Sequence, residues 1–283
     1  MNIQLYLPFI CWSLAPIILI KSGNMIYLAP IIYYIVASFL LAVKKQWPIT
    51  LWNTMSVRDK KLYLISSVCQ VVIEIAAVLT LLENTPYVAA SFVLGSLWSI
   101  PYYFTSKIFL EKSPFKMKEV IIIFLVAIGV GMLYDLQFTL EMSVLFGMIR
   151  LIAGTIAATI TKGITTRYQD DVVSQMNWYK IYTGLPLTFL ILFFVDLSII
   201  DYNIGSLISI IIAGILISYV GHGRWPQTIK VLSPFKINTV RGIFRALVFL
   251  ALCFLTQKQI LPINIFGIIL IFIGNILAVK NNK

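Results

Sequence analysis

About ten apolar stretches, each roughly 16–22 residues long and so close to what a helix needs to cross hydrocarbon, divide the chain. They run 3–20, 26–43, 62–82, 87–106, 119–135, 142–161, 174–195, 205–222, 238–256 and 262–279. Of the 283 residues 60% are hydrophobic and only 12% are charged. A soluble domain carries about a quarter charged residues. With a mean hydropathy of +0.93, no soluble fold of this size has the interior to hide so much apolar surface. Lipid must solvate much of it, and only closed barrels and helices satisfy their backbone there. The expected fold class is all-α integral membrane, with about ten transmembrane helices judged by length.

The loops set the expected orientation. Lys44, Lys45, Arg58, Lys60 and Lys61 lie between the second and third runs, and Lys107, Lys112, Lys116 and Lys118 between the fourth and fifth. Lys162 and Arg167, then Arg224, Lys230 and Lys236, and finally Lys280 and Lys283 continue the series. The alternate loops hold Lys21 and Lys258 but also Glu83, Asp135, Glu141, Asp196 and Asp201. Every second loop is therefore basic, which places both termini in the cytoplasm by the positive-inside rule. The expected location is a bacterial-type inner membrane. The same pattern accounts for the net charge of +11 and argues against nucleic acid as a partner; the lipid bilayer is the expected one. Trp47, Trp52, Trp178 and Trp225 fall near run ends, as interface anchors do, whereas Trp98 lies inside the fourth run. Residues 1–7 carry no Lys or Arg and no small-residue cleavage site follows, so the first run reads as a retained helix.

Cys11, Cys69 and Cys253 all sit in apolar runs without a CxxC pair or a histidine cluster. They read as small apolar packers, and neither a metal nor another cofactor is expected. No Walker A loop, HExxH or paired-carboxylate motif is present, so the chain is not expected to be an enzyme.

The order of elements repeats after five runs. Residues 100–111 and 245–256 each end a fourth run, each is followed by a turn containing proline (Pro114, Pro262), and each leads to a last run with internal glycines. Those are Gly129 and Gly131 in the first half and Gly267 and Gly274 in the second. Residues 1–140 and 141–283 are thus two five-helix repeats. Because five is odd, the second must be inverted, as in secondary transporters that alternate access around a midplane site.

The stretches TPYVAASFVLGSLWSIPYYFTSKIFLEKSP and IIIFLVAIGVGML, with Pro101 and Glu111, resemble an EamA domain of the drug/metabolite transporter superfamily. The opening CWSLAPIILIKSG, with Pro16 and Lys21, is similar to the first helix of that family. The second half is similar in outline from Gly147 onward, but Ala246 stands where Pro101 does and Thr256 where Glu111 does. The resemblance implies a ten-helix permease with a central cavity, and a small-molecule substrate drawn from amino acids, nucleotide sugars, sugar phosphates, choline or purines.

Three ionisable residues fall near the middle of a run: Glu74, Arg150 and Arg245. Charge at that depth costs from a few to over ten kcal/mol and persists only with a partner or water. Helical spacing puts Ser67, Gln70 and Glu74 on one face, Gly147, Arg150 and Gly154 on another, and Asn238, Arg241 and Arg245 on a third. Ser91, Gly95, Trp98 and Tyr102 share a face of the fourth run. Substrate-binding candidates are therefore Glu74, Arg150, Arg245, Trp98, Tyr102, Gln70, Ser91 and Arg241. Arginine matches carboxylate or phosphate, and Glu74 suits an ammonium group or a coupling proton. The bland reading has Glu74 paired with Arg150 or Arg245 as a buried strut, Trp98 and Tyr102 packing between helices, and His222 as an interface residue.

The expected function is a secondary carrier for a small polar metabolite, with an amino acid first and an anionic solute such as a sugar phosphate or nucleotide conjugate as the alternative. A non-transporting assembly or lipid-handling protein is the rival of a different class. Ten spans can house a cavity in one chain, so a monomer or a homodimer is compatible.

Overall fold

The computed structural model describes residues 3–19, 22–44, 53–83, 88–133, 142–257 and 259–281. Lys21, Lys45, Trp47, Trp52, Asp135, Glu141, Lys258 and Lys283, used above for orientation, lie outside the described residues.

The described elements are all helical. In chain order the α-helices are α1 (Leu7–Leu19), α2 (Ala29–Val43), α3 (Val57–Leu82), α4 (Val88–Ser96), α5 (Ser99–Thr105) and α6 (Met117–Leu133). They continue with α7 (Met142–Thr165), α8 (Asp170–Thr188), α9 (Ile204–Gly214), α10 (His222–Val231), α11 (Pro234–Thr256) and α12 (Pro262–Asn281). Six described stretches are long and apolar enough to cross a membrane: Gly23–Val43, Val57–Leu82, Met142–Thr165, Ile204–Val231, Pro234–Leu255 and Pro262–Val279. Their outward faces are as apolar as their inward ones. On α12, Phe266, Ile269, Ile273 and Ile276 are exposed while Ile271 and Ala278 are buried, a pattern that suits lipid and not water.

Helix ends depart from the apolar runs wherever a cap acts. α3 starts five residues before its run because the Ser56 hydroxyl accepts from Asp59 N at 3.1 Å, and α11 starts four residues early behind Ser233 with Pro234 in its first turn. Hydropathy marks where lipid lies; caps mark where the helix begins. The largest extension is at Ile204–Val231, where α9 passes through a π-helical turn (Ile215–Gly221) into α10. The polar segment 223–231, read as loop from its charge, is helix.

Pro101 and Pro226 each remove a helical donor, and in each case polar groups pair the backbone nearby. Pro101 has no N–H to offer Leu97 O. Ile100 N donates to that oxygen instead (2.9 Å), the helix breaks between α4 and α5, and the Arg245 guanidinium donates to the Ser96 carbonyl. Pro226 likewise leaves the carbonyl of His222 without its helical donor. The Asn177 amide, oriented by its neighbours, donates to His222 O at 2.9 Å and accepts from Gly223 N at 3.1 Å.

α3 packs along α7, α4 crosses α7, and α6 packs along α12. Away from the lipid-facing sides, one buried cluster joins α1, α2, α3, α8 and α9 through Tyr33, Tyr34, Val71, Ile181 and Ile210. A second holds Phe9, Tyr102, Trp225, Ile229, Leu232 and Ile237. At one end of the bundle, Asp59 of α3 is 4% exposed and accepts from Arg167 Nη1 (2.7 Å) and Tyr168 OH (2.8 Å) in the α7–α8 turn. Lys230 Nζ donates to Tyr168 O at 2.7 Å and to Asp170 at 2.6 Å, and Lys162 Nζ to Lys230 O at 2.9 Å. These bonds tie residues 56–59 to both turns that flank α8 and α10.

Candidate functional site

A two-lobed cavity lies among α1, α3, α4, α7, α10 and α11. The first lobe, about 300 Å³, is lined by Phe9, Phe92, Phe244, Val248, Ser96 and Arg245 among others. The second, about 240 Å³, is lined by Gln70, Glu74, Trp98, His222 and Trp225 among others. Trp12, Arg150 and Arg241 line both and form the waist between them.

Each waist residue carries a buried N–H with no partner among the described residues: Trp12 Nε1, Arg150 Nε and Nη1, and Arg241 Nη1. Buried donors are ordinarily paired, and each orphan costs free energy unless something accepts from it. The waist thus presents donors and no acceptors. Both guanidiniums are also held against rings. Arg150 lies 4.3 Å from the centre of Phe92, and Arg241 lies 4.3 Å from the centre of Trp98, so their planes are fixed before any ligand arrives. Glycines make room for both arrangements. A Cβ on Gly95 would meet Arg150 Cβ at 2.8 Å, and one on Gly154 would meet Trp98 Cγ at 2.7 Å.

Glu74 is not the strut of the bland reading. Among the described residues no arginine lies within ion-pair distance of it; its partner is His222 Nε2 at 3.8 Å, and Gln70 Nε2 donates to its Oε1 at 3.2 Å. Gln70 Nε2 and His222 Nε2 are 3.4 Å apart. The second lobe therefore carries a Gln70–Glu74–His222 cluster beside the arginines. Aromatic rings close the cavity on the α10 side. Trp12 packs on Trp225 (5.2 Å between centroids) and His222 (5.3 Å), and Trp225 on Trp98 (5.8 Å) and Phe9 (6.1 Å).

Of the residues singled out from the sequence, Glu74, Gln70, Arg150, Arg241, Arg245 and Trp98 line the cavity. Ser91 and Tyr102 line neither lobe. Ser91 is buried against Gly147 and shares a hydrogen bond with Thr80 (3.2 Å), and Tyr102 is fully buried in the Phe9 cluster. Ser91, Gly95 and Trp98 do share a face, which packs on α7 at Gly147, Arg150 and Gly154, but only part of that face opens into the cavity. Trp225 is buried in the aromatic floor, not at an interface, and His222 is part of the site. Trp12, Phe92 and Phe244 were not anticipated. The available signals for this part of the site were Pro226 and the Gly221-His222-Gly223 triplet, which mark an irregular helix. Lys180, also buried, is not among the residues that the spacing singles out. Its Nζ donates to Thr161 Oγ1 at 3.1 Å and lies 5.1 Å from the Tyr63 ring. No group of described residues could hold a metal ion.

Comparison with known proteins identifies a shape and no more. No family model matches the chain, and no curated protein matches it. Among solved structures, 27 chains match. One of them, a crystal structure of a protein, aligns over 99% of this chain and 97% of its own with a TM-score of 0.79 and 12% identity. Likeness at that identity is likeness of fold: this all-helical arrangement exists in another protein over its whole length.

Proposed function

We propose that the chain is a secondary carrier that moves a small polar metabolite bearing an anionic group by alternating access. In this reading ten spans form two inverted halves, 1–140 and 141–283, with both termini in the cytoplasm of a cell with a bacterial-type inner membrane. The observation that carries it is the waist, where three residues offer buried donors and no acceptor between the two lobes of the cavity. A purely structural bundle gains nothing from leaving such groups unpaired.

Helix pairing supports the two halves. If α1, α2, α3, α4–α5 and α6 are exchanged with α7, α8, α9–α10, α11 and α12, most pairs between halves map onto one another, α6 on α11 being the exception. α3 on α7 becomes the Ile204–Val231 helix on α1, α4 on α7 becomes α11 on α1, and α3 on α8 becomes Ile204–Val231 on α2. The pairs α2–α8 and α6–α12 map onto themselves. The broken helix at Leu97–Trp98 fits the same reading, since carriers commonly place discontinuous helices at their sites. The EamA-type resemblance implies this architecture as well.

Two cargo classes suit the cavity. An amino acid would set its carboxylate on the waist and its ammonium against Glu74, which lines the same lobe as Arg150 and Arg241. An anionic solute such as a sugar phosphate draws on the excess of arginine over carboxylate. Counterflow of labelled cargo in proteoliposomes tests the reading: wild type should exchange at least one member of these classes, and Arg150→Gln should not. A non-transporting assembly or lipid-handling protein would exchange none while remaining folded.

A further inference from the structure

Glu74 and His222 lie far apart in the chain and meet on the wall of the second lobe. Their side chains keep 17% and 14% of their surface exposed, so the lobe reaches both. The π-helical turn Ile215–Gly221 ends one residue before His222, and the Asn177 amide holds the backbone at His222 and Gly223. Turns of this kind inside helices recur at functional sites. Gln70 Nε2 sits between the two groups, 3.2 Å from Glu74 Oε1 and 3.4 Å from His222 Nε2. That geometry suits a carboxylate and a ring nitrogen that both accept. A proton on His222 Nε2 would face the amide N–H. The amide must then turn away, and Glu74 Oε1, 3.8 Å off, becomes the acceptor. The two groups thus have two arrangements that differ by one proton, which belongs to the pair and not to either member.

We infer that Glu74 and His222 form the coupling-proton site of the carrier, which moves its anion together with a proton. This rests on the carrier reading and adds the driving ion to it. Arg150 and Arg241 line the same lobe, and Arg150 is within electrostatic reach of Glu74. An anion at the waist offsets part of their positive field at the pair, so anion and proton bind with positive cooperativity, each tightening the other by the same factor. The helices that carry the pair, α3 and Ile204–Val231, are exchanged with one another between the two halves, so a change in their contact is a change between the halves. The other ionisable groups on the surrounding helices are engaged elsewhere. Tyr33 and Tyr34 of α2, also in reach of Glu74, are buried in the neighbouring apolar cluster. Lys180 of α8 is bound to Thr161, and Arg224 of α10 is exposed and bound to Gln227. None of these lines the second lobe. The proton enters with the anion from the solvent on one side and leaves with it on the other, and no bond in the cargo is made or broken.

Proteoliposomes holding the full chain test this with labelled alanine, aspartate, succinate and glycerol phosphate. Each probe is followed first in counterflow and then under an inside-alkaline gradient of one pH unit, with potassium and valinomycin holding the membrane potential at zero. Wild type should accumulate a probe that it exchanges by roughly threefold or more, toward a ceiling of about tenfold for one proton per cargo. Glu74→Gln and His222→Gln, both close in size to the native side chains, should each bring that accumulation down to equilibrium while still exchanging the probe at a measurable rate. Exchange in wild type that ignores the gradient, accumulation under the opposite gradient, or accumulation that survives in both variants would overturn the inference and leave the carrier reading standing. Loss of exchange in both variants, with thermal unfolding in detergent showing them folded, would put the pair in the cargo seat and overturn the inference as well. No exchange of any probe by folded wild type would sink both readings.

Discussion

Gly129 of α6 and Gly267 of α12 meet backbone to backbone. A Cβ on Gly129 would lie 2.7 Å from Gly267 O, and one on Gly267 would lie 2.6 Å from Gly129 O. Small residues let membrane helices approach until dispersion and Cα–H contacts hold them, since lipid offers no hydrophobic drive for association. Gly129→Val or Gly267→Val must push the helices apart where their backbones touch. Each should lower stability by about 1–3 kcal/mol, read from thermal unfolding in detergent. An unchanged midpoint would show that these helices do not hold the bundle together.

Asp59 joins α3 to the α7–α8 turn through Arg167 and Tyr168. Asp59→Ala would leave a tyrosine hydroxyl and a guanidinium without their acceptor. Arg167 is half exposed and can turn to water, which keeps the loss near that of hydrogen bonds to a charged group, about 1.5–3 kcal/mol. Asp59→Asn, which retains one acceptor, should lose less. Equal losses for both variants would mean that the charge, and not the hydrogen bonding, matters there.

Lys180 is 6% exposed and its near contacts are a hydroxyl and an aromatic ring. Replacing a poorly compensated buried charge by an apolar side chain of similar length is often neutral or stabilising, by up to about 4 kcal/mol. Lys180→Met should therefore keep or raise the unfolding temperature. A marked drop would assign Lys180 a counter-charge or a functional partner.

Trp98 holds the Arg241 guanidinium by its ring face. Trp98→Leu keeps an apolar side chain but removes that seat. At about 0.5–2 kcal/mol for a cation–π contact, ligand affinity should fall roughly two- to thirtyfold with the fold preserved. Arg241→Lys should cost at least as much, because an ammonium neither stacks nor donates in a plane.

Much of the membrane architecture was legible because lipid imposes a simple rule: long apolar helices and few buried charges. Glu74, Arg150, Arg241 and Arg245 broke that rule in the sequence and do line the cavity. What could not be read were contributions lacking a charge signal. Trp12 and Phe92 look like any aromatic in an apolar run, and only tertiary packing brings them to Arg150. Ser91 and Tyr102 stay out of the cavity because tertiary packing seals them against Gly147 and within the Phe9 cluster, which spacing alone does not show. Segment 223–231 reads as loop by its charge although it is helix, and His222, at the end of its run, reads as an interface residue although it lines the cavity. Lys180 is the seventh residue of its apolar run, near enough to the end to pass as a snorkelling side chain; the fold buries it instead.

The most direct measurement is thermal unfolding of wild type and Arg150→Gln in detergent against a panel of amino acids, dicarboxylates, phosphomonoesters and quaternary amines. At about a hundred times its dissociation constant a cargo adds roughly 2.7 kcal/mol to folded-state stability, enough to move the midpoint visibly. The account predicts a shift for an anion-bearing class in wild type and its loss in Arg150→Gln, whose apo stability should match or exceed wild type once the orphaned guanidinium is gone. A shift that survives in Arg150→Gln, or a shift confined to quaternary amines, would contradict an anion seat at the waist.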